Sequence, residues 1–199
     1  MPGRLFLTHS ASELGALTGV PCSLNFSSNM NVKPGQEIPV LSERGWSLMR
    51  WGIIPVGRTN ARGRPVMETI INARSETVFE KSAFAGLKRC IVPTSGWYEW
   101  TGEKRKKTVW SLKYSSGLPI LVAAIWDTWS GPAGVSLDQV ATLTCEPNDD
   151  VRPIHHRMGA FLRPGDINRW LSGEEKEKLL VPLAKGKLMI SQTRDPDRA

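Results

Sequence analysis

Residues 90–126 read "CIVPTSGWYEWTGEKRKKTVWSLKYSSGLPILVAAIW". Within them, residues 90–93, 97–101, 108–114 and 119–126 are short runs rich in β-branched and aromatic side chains, separated by the turn signals Thr101-Gly102 and Ser115-Ser116-Gly117. Residues 139–144 supply one more such run. The pattern predicts a β meander. The basic run "KRKK" (104–107) falls at a hairpin tip, where it solvates the turn; as a phosphate contact it would be weak and unspecific.

Outward from this centre the signals change. Upstream, "SASEL" offers a capping box, Ser10 with Glu13 three residues on, for a short helix through about Leu17. "NVKPGQEIPVL" (31–41) reads as strand, Pro-Gly turn and strand, and "GWSLMRWGIIP" (45–55) as a further strand that Gly52 and Pro55 interrupt. Residues 58–65 form a basic loop, expected to be mobile. "TVFEKSAFAGL" (77–87) has near-helical apolar spacing and predicts a helix ending about Leu87. Downstream of Pro164, "GDINRWL" and "EEKEKLL" predict short helices, and the polar tail from Ser191 is expected to fray. There is no repeat and no domain linker.

At 199 residues the chain suits one domain that buries roughly two thirds of the surface its unfolded form exposes. Its 26 basic and 19 acidic residues give a net charge of +7, and eight are Trp, a pairing that suits a polyanion with bases to stack upon. Nucleic acid leads as partner, against the alternative that the charge only solvates the surface. Cys22, Cys90 and Cys145 are odd in number, widely spaced and form no CxxC, so neither a zinc knuckle nor a disulfide framework is indicated, and a reducing cytoplasm fits best. The opening "MPGRLFLTHS" lacks the apolar core of a signal peptide. The longest apolar run, residues 118–126, is nine residues and too short to span a bilayer as a helix.

Three polar blocks break the apolar runs: "NARSET" (72–77), "GWYEW" (96–100) and "IHHRM" (154–158). Polar groups inside strand-like sequence cost stability unless they are paired or used. Alternation places Trp97 and Glu99 on one sheet face and Tyr98 and Trp100 on the other. A carboxyl among aromatics has its pKa pushed up and can hold a proton near neutrality, unless the strand end simply faces water. His155 and His156, adjacent in an extended chain, would point to opposite sides, so a two-His metal clamp is not expected; one His as proton shuttle competes with a satisfied structural His. Asn72, Arg74 and Glu76 would share a face, Asn72 holding a substrate oxygen and Arg74 either gripping a phosphate or pairing with Glu76. No GxSxG, GxxxxGK[ST] or HExxH occurs, so hydrolases and NTPases of those types lose support.

These blocks, together with "GR" (3–4), "NVKPG" (31–35), "RWGIIP" (50–55), "CIVPTSGWYEW" (90–100), "PILVAAIW" (119–126) and "ATLT" (141–144), resemble the SOS response-associated peptidase (SRAP) family of abasic-site processing proteins, fading after about Trp170. The resemblance implies an α+β fold: a single compact domain (1–190) with a β-rich, mainly antiparallel core and short flanking helices, followed by a polar C-terminal tail (191–199). It implies a DNA damage response role on single-stranded DNA with abasic sites, DNA-protein crosslinking, a family name of peptidase or hydrolase, and a cytoplasmic monomer with no membrane, cofactor or metal. In such proteins residue 2, a Cys, attacks the ring-opened sugar aldehyde and closes a thiazolidine. Asn72 then matches the sugar-positioning amide, Glu99 the acid-base carboxylate and His155 the histidine assisting ring opening. Thr144 matches a pocket-lining residue, Arg4 and Arg74 match phosphate contacts, and Trp51 an apolar element near the DNA.

Two departures stand out. Gly159 replaces the Pro that usually follows the "RM" pair, and residue 2 is Pro2, which has no thiol. Thiazolidine formation is therefore excluded. The expectations that remain are Schiff-base, lyase-like attack by the Pro2 amine after Met1 removal, a non-catalytic module that binds damaged single strands, or a Cys-to-Pro form of an ordinary crosslinker.

Overall fold

Gly96 has no room for a side chain: a Cβ there would lie 2.3 Å from the Leu112 carbonyl oxygen and 2.4 Å from the Phe6 ring. That close approach ties three strands of a sheet together, β1 (Leu5–Leu7), β7 (Gly96–Thr101) and β8 (Thr108–Tyr114). The computed structural model describes residues 3–55, 69–81, 84, 86–103, 106–131, 134–173 and 179–198. With β2 (Asn29–Val32) and β13 (Leu188–Thr193), the first sheet runs β13-β8-β7-β1-β2.

The second sheet is built from β3 (Glu37–Ser42), β4 (Gly45–Trp51), β5 (Asn72–Arg74), β6 (Lys88–Thr94), β9 (Ile120–Ser130), β10 (Ser136–Cys145), β11 (Met158–Gly159) and β12 (Phe161–Leu162). Its pairings close on themselves, β10 to β4, β4 to β3, β3 to β6, β6 to β9 and β9 back to β10, which leaves few open edges. Pairing is antiparallel except that β10 runs parallel to β4 and β5. The main core fills the interior with Trp51, Trp97, Trp126 and Trp170, each at most 2% exposed, among aliphatic side chains. The fold is α+β, and no helix among the described residues is long and apolar enough to cross a membrane.

The capping box forms: Ser10 N–H donates to Glu13 Oε2 at 2.7 Å and Glu13 N–H to Ser10 Oγ at 3.3 Å, opening α1 (Ala11–Thr18). "GDINRWL" folds as a 3₁₀ turn, Pro164–Asp166, and α2 (Ile167–Leu171). The Pro-Gly turn after Val32 does not make a hairpin, because β2 pairs with β1 and β3 with β4.

Three expectations change. The runs expected to form one β meander are divided between the sheets, β7 pairing with β8 in the first and β6 and β10 flanking β9 in the second. The helix expected over 77–87 is a set of turns in its described part. Thr77 and Val78 N–H both reach the Arg74 carbonyl, and Glu80 and Lys81 N–H both reach that of Thr77. Val78 sinks into the core at 1% exposure, while Phe79 packs edge-on against Trp170 and under the Arg89 guanidinium, so tertiary contacts override the helical spacing. The tail expected to fray from Ser191 does not do so there, since β13 continues to Thr193 and pairs with β8 throughout. The expected loop 58–65 and residues 174–178 of "EEKEKLL" lie outside the described residues.

Candidate functional site

β5 is short but fixed in register, Asn72, Ala73 and Arg74 lying beside Thr142, Leu143 and Thr144 of β10. Ala73 is buried, so alternation turns Asn72 and Arg74 the other way, Arg74 being exposed to solvent. Thr142 Oγ1 donates to Asn72 Oδ1 at 2.5 Å, which ties that amide to β10. Thr144, with no exposed surface, donates its hydroxyl to the Ala73 carbonyl at 3.2 Å.

The "IHHRM" block follows a turn in which Asn148 Oδ1 accepts from Val151 N–H and His155 N–H donates to the Val151 carbonyl. Because the chain turns there, His155 and His156 do not diverge as an extended chain predicts; their rings stack with centroids 4.3 Å apart. His155 Nδ1 lies 2.9 Å from the Arg157 N–H and 3.2 Å from the Arg157 carbonyl, so the backbone of the block itself holds the ring by that nitrogen. Burial holds the His155 pKa down at about 4, making it a neutral donor at pH 7.

Arg157 is the residue that sequence reasoning missed. Its guanidinium, 8% exposed, grips Glu76 with two 2.7 Å bonds and reaches the Thr144 carbonyl at 2.5 Å. Glu76 therefore pairs with Arg157, and these bonds hold its carboxyl below the usual range. The signal was available: a Glu and an Arg of opposite charge, one in each of two polar blocks that break apolar sequence. Asn72, Arg74 and His155 are thus gathered on one corner, joined through β10 and Arg157, whereas Thr144, expected to line the pocket, lies buried beneath it with its hydroxyl on the Ala73 carbonyl.

Glu99 enters from the other sheet. It is 4% exposed on the face of β7 that carries Trp97, whose ring packs on Phe161 at 5.3 Å. Burial pushes its carboxyl pKa up. β1 runs antiparallel beside it, Leu5 opposite Trp97 and the Arg4 carbonyl accepting from Tyr98 N–H, so the register carries the chain back toward position 99. Pro2 lies outside the described residues.

Two residues expected to contact DNA lie off this corner, Trp51 because it is internal and Arg4 because Asp197 holds it. Trp51 has no exposed surface and donates its indole N–H to the Ile71 carbonyl at 3.0 Å, so it shapes the approach to Asn72 without presenting a surface. Arg4 alternates onto the face of β1 shared with Phe6, whose ring packs at a tilt on Tyr98 with centroids 5.1 Å apart, and its guanidinium pairs with Asp197 at 2.9 Å. Gly159 also has a structural reason: a Cβ there would meet the Phe161 ring at 2.3 Å.

A family model described as SOS response associated peptidase (SRAP) matches residues 1–193. The abasic site processing protein YoaM of Bacillus subtilis is 31% identical over 170 residues, covering 79% of this chain and 74% of that protein. The abasic site processing protein YoqW of the same organism is 30% identical over 155 residues, covering 74% and 68%. A crystal structure of a protein from Bacteroides thetaiotaomicron superposes with a TM-score of 0.84 at 23% identity, covering 97% of this chain and 92% of that one, a likeness of fold.

Proposed function

Because this chain belongs to the SOS response-associated peptidase family, we propose that it processes abasic sites in single-stranded DNA, the Pro2 amine attacking the ring-opened aldehyde once Met1 is removed. The relatives' description as abasic site processing proteins supports the substrate. One observation carries the chemistry: a buried carboxyl with a raised pKa, Glu99, on the strand along which the first strand of the chain runs. Such a group keeps its proton to higher pH than a free carboxyl does and can also take one back.

An N-terminal amine of ordinary pKa, about 7.7 to 8, is roughly a tenth to a sixth unprotonated at pH 7. Its lone pair adds to the C1′ aldehyde carbon while Glu99 gives its proton to the oxygen. Glu99 then takes the proton from the new ammonium nitrogen, returns it to the hydroxyl, and water leaves as the iminium forms. Now a carboxylate, Glu99 is placed to remove a C2′ proton and expel the 3′ phosphate by β-elimination. Asn72 and His155 hold the sugar by side-chain hydrogen bonds, and the exposed Arg74 meets a phosphate. Without a thiol the adduct stays reversible or proceeds to strand cleavage.

Borohydride reduces an iminium to a stable amine, so a trapped adduct on a single-stranded abasic oligonucleotide is the expected result. The protein used must be shown by mass spectrometry to start at Pro2, since a retained Met1 would make that nitrogen a tertiary amide. The absent thiol favours a second reading, a module that binds damaged strands without chemistry. No trapped adduct from the wild type, with stable crosslinking restored in Pro2→Cys, would decide for it.

A further inference from the structure

Residues 195–198 end in a 3₁₀ turn, Pro196–Arg198, that packs against β2. Asp197 N–H donates to Asp195 Oδ1 at 3.1 Å, which sets the turn. Three donors converge on the Asp197 carboxylate from separate places in the chain: Arg4 Nη2 at 2.9 Å, Lys33 Nζ at 2.7 Å and Asn31 Nδ2 at 3.1 Å. Asn31 Nδ2 also reaches the Pro196 carbonyl at 2.9 Å. The carboxyl is held far below its ordinary range by Lys33, Arg4 and Asn31, in that order. Two cations and an amide around one oxyanion are what a phosphate would also require.

The seat is open to exchange. The Arg4, Lys33 and Asp197 side chains are 23%, 48% and 36% exposed, and ion pairs in that range are weak and screened by salt. Asp197 holds the seat because β13 delivers it, giving it a high effective concentration. Arg4 is also close to the proposed chemistry by covalent geometry alone, since two residues of chain span at most about 7 Å. A strand with its abasic sugar at residue 2 brings a flanking phosphate within range of Arg4.

We infer that Arg4, Asn31 and Lys33 form a seat for a phosphate of the DNA strand, which Asp197 fills in the free protein, so that segment 195–198 competes with nucleic acid. The inference rests on the abasic-DNA reading above and adds a restraint on binding that the site's own residues do not supply. Binding strands must displace the turn before Arg4 can reach them.

The test compares wild type, Asp197→Ala, and Asp197→Ala combined with Arg4→Ala in binding a fluorescent thymidine oligomer that carries one reduced abasic site, across a range of salt. The single variant is expected to bind about fivefold tighter, with a log-log salt slope steeper by about 0.7 for each further phosphate it neutralises, and the double variant to lose that advantage. Equal or weaker binding by Asp197→Ala overturns the inference. Inorganic phosphate, followed at the Asn31 side-chain amide by NMR, separates the two readings. The signal should move in Asp197→Ala at severalfold lower phosphate than in wild type, and no movement in the variant overturns the seat. Movement there, with no oligomer binding by any of the three proteins, supports the seat and overturns the DNA reading alone.

Discussion

Glu76 and Glu99 are the same residue in two regions of one molecule, and their surroundings send them opposite ways. Glu76, with its side chain 45% exposed, accepts both terminal nitrogens of Arg157 and is held as a carboxylate. Glu99, nearly without exposed surface among aromatic neighbours in the facing sheet, is pushed toward its neutral form. A bidentate cation makes a structural anion; desolvation makes an acid. In the proposed reaction proton transfer therefore falls to β7 of the first sheet, and holding the sugar and its phosphate to the β5–β10 corner of the second.

The sharpest way to break that division is Glu99→Gln. If Glu99 moves protons, the rate of borohydride trapping falls by about 10²-fold or more, whereas Glu76→Gln leaves the rate within a few-fold. The same variant should gain thermal stability at pH 7 to 8. Burial raises the folded-state pKa above the unfolded one, so the folded state binds more protons in that interval and stability falls as pH rises through it. Gln cannot ionise, and a melting temperature that keeps the wild-type pH dependence would refute the assignment.

Next in size is an asymmetry across the Glu76–Arg157 pair. Glu76→Ala leaves the nearly buried guanidinium without its carboxylate and should cost about 2–3 kcal/mol in urea unfolding. Arg157→Met lets the half-exposed Glu76 return to water, and the Thr144 carbonyl keeps its bond from Ser75 N–H, so about 1 kcal/mol is expected. Equal losses would mean that burial does not distinguish the two ends.

The smallest effect has the opposite pH sign to Glu99. His155 sits at about 4 in the folded protein against an ordinary value near 6.5, so the unfolded chain binds more protons between them. Stability is therefore present above pH 6.5 and lost as pH falls toward 4. His155→Gln should flatten the curve on that acid side alone.

What the sequence made legible was local. Alternation in "GWYEW" correctly placed Trp97 with Glu99 and Tyr98 with Trp100, and Ser10 with Glu13 marked the start of α1. What it hid was set by distant partners. The two histidines stack because the Val151 carbonyl draws the chain into a turn, which alternation cannot foresee. Trp51 is internal because β4 is closed over by β10 far along the chain. Glu76 takes Arg157 in preference to its neighbour Arg74 because β10 holds both blocks against itself. Ser191 is ordered because β8 needs an edge partner that composition does not reveal.

The strand β10 also has a kinetic consequence. The Thr142–Asn72 bond closes a span of 70 residues and the Arg157–Glu76 bond one of 81, and chain entropy must be lost before such distant pairings give anything back. These pairings therefore form late in folding, after the local hairpins. On the ribosome, a partly synthesised chain cannot complete the β5–β10 corner until the stretch beyond residue 157 has emerged.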